Sequence, residues 1–322
     1  MAAFIIRRLF YTIVVLVVVS AVVFIMNYYG GGDPVYTMLP PQATPADIAA
    51  MRKAMGLDKP GFVQYQIYMG NLLKGNLGNS WSQVRPVSTL IVERLPATME
   101  LAVVSMAITL VVGISLGFFT AARPYSALSQ STMIVSILGI SIPPFWLGMM
   151  LILPFSVLLG VLPSSGRGEV VTWAGVRLGV LTVDGLRHLI LPAVTLATFN
   201  ASLLMRLVRA TAMEELTQDY VKCAKARGLA LKWVLLKHVF RNTLIAILTF
   251  CGLTFGQMIA FAVVIETIFA WPGMGKLLMD SINLADRPVV IGYLLFIAFL
   301  FSLVNLLTDL AYCVIDPRVR FK

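Results

Sequence analysis

Long apolar runs recur along this chain and set its overall pattern. A helix needs about 20 mainly apolar residues to cross the hydrocarbon layer of a bilayer. Because backbone groups in lipid must be hydrogen-bonded within their own segment, each run predicts a helix. Six runs are long enough, and they cover residues 9–29, 100–121, 132–160, 188–208, 243–265 and 289–314. The pattern predicts an all-α integral membrane protein with six transmembrane helices.

The composition agrees with a membrane protein and excludes a large soluble domain. Of the 322 residues, 59% are hydrophobic and 12% are charged, whereas soluble domains average about 25% charged residues. The three cysteines are too few and too scattered for a disulfide framework or a Cys/His metal site. We therefore expect no metal site and no cofactor bound by this chain.

The positive charges predict the orientation of the spans. The first apolar run is longer than the roughly 7–15 apolar residues of a cleaved signal peptide, so it is interpreted as an uncleaved span. With six spans both termini lie on one side, which carries 14 of the 25 Lys and Arg residues. The other side carries 11, but six of these lie in the long loop 30–96, and long loops cross largely regardless of charge. Both termini are predicted to be cytoplasmic.

The first loop, residues 30–96, is too long for a simple connection and predicts a small extracytoplasmic helical subdomain. Thr44 with Asp47 three residues later is typical of a helix start, and Gly56 of a helix end. The stretch 62–78 has an aromatic and aliphatic face that predicts a second helix. Two interpretations stay open: an ordered cap on the helix ends, or a docking platform for a partner.

Three spans contain small, polar or proline residues within the apolar run. Gly113 and Gly117 have the spacing that lets helices pack closely, which favours packing within the chain. Pro143 and Pro144 predict a kink, which serves packing or lines a path. The fifth span holds a set of small and polar residues that either join helices or line a water-filled path. These are Thr249, Gly252, Thr254, Gly256 and Gln257.

The sequence contains no recognisable catalytic or nucleotide-binding motif. The stretch 270–278 is superficially like a phosphate-binding loop, but that motif requires Gly at 270 and Ser or Thr at 277, where this chain has Ala270 and Leu277. We therefore expect a transport subunit rather than an enzyme, with any energy supplied by another subunit. The alternatives are an ion-driven secondary transporter, disfavoured by the shortage of charges in the spans, and a membrane scaffold. Co-purification with an ATPase would distinguish them.

The most strongly charged stretch between two apolar runs is residues 219–241, which contains six Lys or Arg residues and one His. Acidic residues precede the cations, an order that suits the dipole of a short helix. Gly228 is a natural helix end. The pattern predicts a short helix that ends at Gly228, and the alternative is a basic loop that only anchors the spans. The apolar positions that follow, within 229–241, predict an amphipathic brace on the membrane surface.

This stretch and several others resemble a known family. The pattern Tyr-Val-x-x-Ala-x-Ala-x-Gly-Leu, followed by His-x-x-Arg-Asn, comprises Tyr220, Val221, Ala224, Ala226, Gly228, Leu229, His238, Arg241 and Asn242. The blocks SIPPFWLG, HLILPAVTL, PGMGKLL and NLLTDLAYCVIDPRVR follow in the same order as in the family. The chain resembles permease subunits of bacterial ABC importers of dipeptides and oligopeptides, of the type with a long first loop. It departs from them at 285–288, a difference that bears on substrate handling.

The resemblance implies the function, location and partners of the chain. It implies half of a translocation path for di- or oligopeptides in the bacterial inner membrane, operated by alternating access. Nickel chelates, glutathione and oligosaccharides are alternative cargoes. The implied partners are a second homologous permease subunit, two ATPase subunits that bind ATP and Mg, and an extracytoplasmic solute-binding protein. No nucleic-acid partner is expected.

The resemblance and the residue pattern together predict segments and sites. We expect a first helix at 1–29, the loop subdomain at 30–96, a permease core at 97–314 with a coupling loop at 211–241, and a cytoplasmic tail at 315–322. The resemblance implies that the helix over about 217–228 contacts the ATPase. The predicted ATPase-coupling residues are Asp219, Tyr220, Ala224, Lys225 and Gly228. The possible path-lining residues are Pro143, Pro144, Thr249, Gly252 and Gln257.

Overall fold

The computed structural model describes residues 2–30, 35, 43–54 and 56–315; for 2–5, 30, 225 and 311–315 it describes the backbone alone. The predicted tail therefore lies, from residue 316 onward, outside the described residues. The chain divides into two compact units. Unit 1 comprises Met1–Leu95 and Leu277–Ser302, and unit 2 comprises Pro96–Lys276 and Leu303–Lys322.

Helices dominate the described residues, with one small hairpin. The first helices are α1 (Ala2–Gly30), α2 (Pro45–Ala54), α3 (Gly61–Leu73), α4 (Val87–Ala122), α5 (Ala127–Ser141) and α6 (Pro144–Ile152), which continues as a π-helix over Leu153–Leu158. Strands β1 (Val171–Trp173) and β2 (Val176–Leu178) follow. The chain then forms α7 (Val183–Leu216), α8 (Asp219–Ala226), α9 (Leu231–Ile268), α10 (Met274–Asn283) and α11 (Arg287–Ile315).

Five described helices, α1, α4, α7, α9 and α11, are long and apolar enough to cross a membrane, and the bent pair α5–α6 makes a sixth span if counted as one. The six predicted spans are therefore found, but the third is not one continuous helix over 132–160. Its two halves meet at 107°. The break lies at the predicted prolines, since Pro143 immediately precedes α6 and Pro144 occupies its first turn, where a missing N–H is tolerated.

In unit 1, two helices follow the first span as predicted. The α2 start is a capping arrangement, because Thr44 N–H donates to the Asp47 carboxylate at 2.9 Å and Asp47 N–H donates to the Thr44 hydroxyl at 3.3 Å. Helix α3 packs on α1 through aromatic rings, with Phe24 and Tyr65 centroids 5.2 Å apart. This packing agrees with the interpretation of the loop as an ordered cap. Helix α4 begins at Val87, inside the segment 30–96 assigned to the loop.

A buried carboxylate fixes the rest of the first loop in unit 1. Asp286 is 1% exposed and accepts hydrogen bonds from the hydroxyls of Ser80 at 2.5 Å and Ser82 at 2.6 Å. It also accepts from the N–H groups of Trp81 at 3.1 Å and Ser82 at 3.0 Å. We call residues 80–82 the serine turn. Burial alone would raise the pKa of Asp286, but these four donors outweigh it and lower the pKa. Asp286, which lies in the stretch 285–288 where the chain departs from the family pattern, therefore anchors the serine turn.

In unit 2, α7 packs against α4 through the two predicted glycines. A β-carbon on Gly113 would lie 2.9 Å from the Leu204 side chain, and one on Gly117 would lie 2.6 Å from Val208. Larger residues would separate the two helices, so the glycines serve close packing within the chain, as predicted. Leu204 and Val208 belong, together with Ile247 of α9, to a buried apolar cluster.

The connection 161–187 contains the antiparallel hairpin β1–β2, a small exception to the all-α expectation. Its two turn residues, Ala174 and Gly175, have φ values of 49° and 81°. Positive φ at both positions is the geometry of a tight hairpin turn that matches the twist of the strands. The hairpin therefore has a local cause that sequence patterning had missed.

Candidate functional site: the basic connection

The segment between α7 and α9, residues 217–230, is called the basic connection. At the end of helix α7, the Thr217 N–H and hydroxyl both donate hydrogen bonds to the Glu214 carbonyl. Helix α8 follows with Asp219 in its first turn, where an acid favours the helix dipole. Gly228 then adopts φ +81°, which glycine does without strain. The predicted helix and its predicted end are both confirmed.

One face of α8 packs into the protein. Val221 is 0% exposed and Ala224 is 7% exposed. They belong to an apolar cluster that fixes α8 against the ends of α4, α7 and α9. Its other buried members are Ala121, Ala212, Val234 and Val239. Burying a valine side chain is worth about 1.5–3 kcal/mol, so the cluster holds the short helix in place. The Ala224 side chain faces inward and is unavailable to a partner.

The same cluster corrects the predicted membrane-surface brace at Val234 and Val239, whereas Leu231 in that brace is exposed. Val234 and Val239 lie in the protein core and not on a membrane surface. They belong to a π-helical stretch, Val234–Val239, that runs directly into Phe240–Ile268. The stretch is thus the first part of α9. Amphipathic spacing had correctly shown that one face is apolar, but spacing does not show what covers that face.

A hydrogen-bonded triad joins the three helices around the connection. The phenol of Tyr220 in α8 donates to the carboxylate of Glu215 in α7. The amide of Asn242 in α9 donates to the same Glu215 oxygen at 2.8 Å and to the Tyr220 oxygen at 3.2 Å. Partial burial, and then the carboxylate, raise the pKa of Tyr220 to about 12. The phenol is therefore protonated at neutral pH and acts as the donor.

The opposite face of α8 is open and polar. Asp219 and Lys222 form a 2.8 Å ion pair, but both side chains are largely exposed, so the pair contributes little to stability. Further exposed cations follow along the chain. They are Arg227, Lys232, Lys237 and Arg241. The predicted coupling residue Lys225 has a side chain outside the described part. The surface offered to a partner is thus a rigidly anchored, basic helix.

The predicted path-lining residues do not form one group. Pro144 and Gln257 line the same pocket in unit 2, and Pro143 immediately precedes α6. Thr249 is half-buried elsewhere on α9, with its hydroxyl donating to the Ile245 carbonyl at 2.9 Å. Gly252 is buried, and a β-carbon on it would overlap Thr308 of α11. The structure therefore shows a packing contact at Gly252, and it brings together Pro144 and Gln257 alone.

A buried ion pair in unit 2 was missed by the sequence analysis. Arg167, in the loop before β1, donates to the Glu100 carboxylate through Nε at 2.9 Å and Nη2 at 2.6 Å. The side chains are 9% and 1% exposed. The Arg167 guanidinium also lies 5.7 Å from the Trp271 ring centroid, a cation–π distance. The sequence signal for this ion pair was Glu100 itself, an acid at the very start of an apolar run.

A second missed acid, Glu266, is 0% exposed near the end of α9. It accepts hydrogen bonds from the Thr98 hydroxyl at 2.6 Å and from the Lys276 N–H at 3.0 Å. A β-carbon on Gly273 would overlap this carboxylate. The Gly-Met-Gly turn that had suggested a phosphate loop thus folds around a carboxylate of its own chain. A single acid within an apolar stretch was the signal.

The long apolar helices are those of a multi-pass membrane protein, and comparison with known proteins specifies the class. Residues 113–321 match the family model described as the binding-protein-dependent transport system inner membrane component, and residues 1–102 match the corresponding N-terminal model. The chain belongs to this family, the permeases of ABC importers. It is therefore a transport subunit, as predicted.

Full-length relatives agree with this assignment, and one solved structure shares the fold. A putative peptide transport system permease protein of Brucella abortus is 40% identical over 100% of both chains. The oligopeptide transport system permease protein AppB of Bacillus subtilis is 37% identical over 100% of both chains. An inward-facing structure of the MetNI methionine ABC transporter shares the fold, with a TM-score of 0.54 and 17% identity over 70% of this chain and 96% of that one.

Proposed function

We propose that this chain forms half of the translocation path of an ATP-driven importer of di- or oligopeptides. The names of relatives that are 34–40% identical over the full length, which include peptide, oligopeptide and dipeptide permeases, support this cargo. The other half of the path is a homologous permease subunit. Two ATPase subunits bind ATP and Mg, and an extracytoplasmic solute-binding protein delivers the peptide. The distribution of cations supports a bacterial inner-membrane location with both termini in the cytoplasm.

The anchoring of α8 is the observation that supports ATP coupling. Its inner face is buried at Val221 and Ala224, and Tyr220 is bonded to residues of both α7 and α9. A force applied to the exposed face therefore moves two spans, because the helix cannot yield independently of them. In the proposal, ATP-driven closure of the partner pushes on α8 and opens the path alternately to each side. Asp219, Lys225 and Gly228 remain the predicted contact residues.

Native Cys223 provides a direct test, since it lies on the exposed surface of α8. In a variant with Cys251 and Cys313 replaced by alanine, a maleimide should label Cys223 in the isolated subunit. Assembly with the ATPase subunits should protect it. Trp173→Cys, in the same background with Cys223 also replaced, is the matched control, because residue 173 is 67% exposed on the β-hairpin. Equal labelling of Cys223 before and after assembly would contradict the coupling role.

The cargo is tested with the complete importer in liposomes. ATP-dependent uptake of labelled di- and tripeptides is expected, and competition by nickel chelates, glutathione or oligosaccharides should be weak. Uptake of one of those compounds with no uptake of peptides would replace the proposed cargo while leaving the ATP-coupling proposal intact. ATP-independent uptake driven by an ion gradient would contradict the importer mechanism itself.

A further inference from the structure

A pocket in unit 2 lies between the first turn of α6, the middle of α7 and the second half of α9. Its volume is about 330 Å³, within the range of about 300–1,000 Å³ found for small-molecule sites. The walls are apolar and rich in aromatic rings, among them Phe145, Phe199 and Phe261. Phe145 is 47% exposed and Phe261 is 69% exposed, so the pocket is open on one side. We call it the amide pocket, for the reason that follows.

Two amide side chains, Asn200 and Gln257, supply the polar part of this lining. The Asn200 amide donates one long hydrogen bond of 3.4 Å to the Leu196 carbonyl. Within the described part of the chain, no hydrogen bond is formed by the Gln257 amide. Both residues belong to helices long and apolar enough to cross a membrane. An amide at such a position requires a partner or water, and here most of the donors and acceptors of the pair remain available.

We propose that the amide pocket is a subsite of the transport path that holds an uncharged side chain of the peptide while Asn200 and Gln257 pair with its main chain. This inference rests on the proposed function. Each amide side chain offers N–H donors and a carbonyl acceptor, the same groups that a peptide bond presents. Aromatic walls with a few placed polar groups are typical of small-molecule sites.

The lining also predicts selectivity, because it contains no charged residue. A Lys or Asp side chain would leave water for an apolar wall without an opposite charge, which is unfavourable. A Leu or Phe side chain would instead bury apolar surface. The pocket should therefore favour alanyl-leucyl-alanine over alanyl-lysyl-alanine, and a charge placed in the lining should change that ratio.

The test uses the complete importer in liposomes and compares initial uptake rates of these two tripeptides with the same solute-binding protein throughout. Gln257→Leu and Asn200→Leu should each reduce uptake of alanyl-leucyl-alanine by about tenfold, the effect of one or two lost hydrogen bonds. Gln257→Glu should raise the ratio of lysyl to leucyl peptide uptake by about tenfold. A gain of this kind does not arise from misfolding. Gln130→Leu, an exposed amide in the first turn of α5 outside the pocket, is the matched control and should leave both rates unchanged.

The possible results separate the inference from the proposed function. If the unmodified importer takes up neither peptide, the proposed cargo is wrong. If it takes up both, and Gln257→Glu leaves their ratio unchanged, the amide pocket is not a subsite. Loss of the second permease subunit on purification of Gln257→Leu would show that the amides belong to a subunit interface, which also overturns the inference.

Discussion

Gly228 offers the sharpest prediction about the basic connection. Its φ of +81° lies in the left-handed region, and a β-carbon built on it would meet nothing within 4 Å. Inside this chain, an L-residue at 228 is therefore penalised by backbone conformation alone, at roughly 1–2 kcal/mol. Asparagine adopts this conformation more easily and should be penalised less. Any larger effect has to come from a surface outside the chain.

A graded series at 228 separates these two contributions. Gly228→Asn, Gly228→Ala, Gly228→Leu and Gly228→Trp are assembled with the partner subunits and measured for ATP-dependent peptide uptake and for ATPase rate. If α8 lies in a cleft of the ATPase, uptake should decline with side-chain volume from Ala to Leu to Trp. The thermal stability of the isolated subunit should be nearly equal for those three. ATP hydrolysis should persist as uptake is lost.

The control is Gly75, which has φ +74° and equally open surroundings but lies in the first loop. Gly75→Leu carries the same conformational penalty, so it should leave the ratio of ATP hydrolysis to uptake unchanged. The reasoning is refuted if Ala, Leu and Trp at 228 reduce uptake equally while Asn restores it. That result would mean that backbone conformation alone matters and that no partner surface lies close to Gly228.

Three further predictions each concern a contact that lies inside a single unit. Gly252→Val should lower the unfolding free energy by about 1–3 kcal/mol through overlap with Thr308, and Thr308→Ala should restore part of the Tm. Asp286 has a lowered pKa, so its stabilisation of the serine turn is present above the unfolded pKa and lost as the pH falls through the folded pKa. Hydrogen exchange of the turn, corrected for intrinsic rates, should accelerate on acidification, and Asp286→Asn should remove most of that pH dependence. Tyr220→Phe should weaken the triad by about 1 kcal/mol, seen as faster proteolysis in the basic connection, and a proteolysis rate equal to that of the unmodified chain would contradict the role of its phenol.

Features with local causes could be predicted from the sequence. The α2 start at Thr44 and Asp47 needs residues three positions apart, and the end of α8 at Gly228 needs one residue free to adopt positive φ. The break at Pro143 and Pro144 also follows from a missing donor within a helix. Its angle of 107° does not follow, because it depends on what each half of the broken helix packs against.

Features made by distant residues could not be predicted in the same way. Glu100 and Arg167 are 67 positions apart, and Thr98 and Glu266 are 168 positions apart. Each acid looked isolated because its partner lies on another element, and no spacing rule connects them. The valines at 234 and 239 were assigned to the membrane surface for the same reason, since an apolar face does not specify its partner. The sequence pattern therefore predicted the helices, and tertiary packing determined the roles of the polar residues.

The spacing of polar residues along α7 and α9 connects the basic connection with the amide pocket. Asn200 and Glu215 lie 15 residues apart in α7, and Asn242 and Gln257 lie 15 residues apart in α9. Both intervals are continuous α-helix, so each amide lies about 22 Å along its helix from the triad, at 1.5 Å per residue. A tilt of roughly 5° about the triad would move either amide by about 2 Å, enough to break a hydrogen bond. Because Tyr220 is hydrogen-bonded to both α7 and α9, one displacement of α8 moves both helices. Small movements at the basic connection are thus sufficient to make or release contacts in the amide pocket.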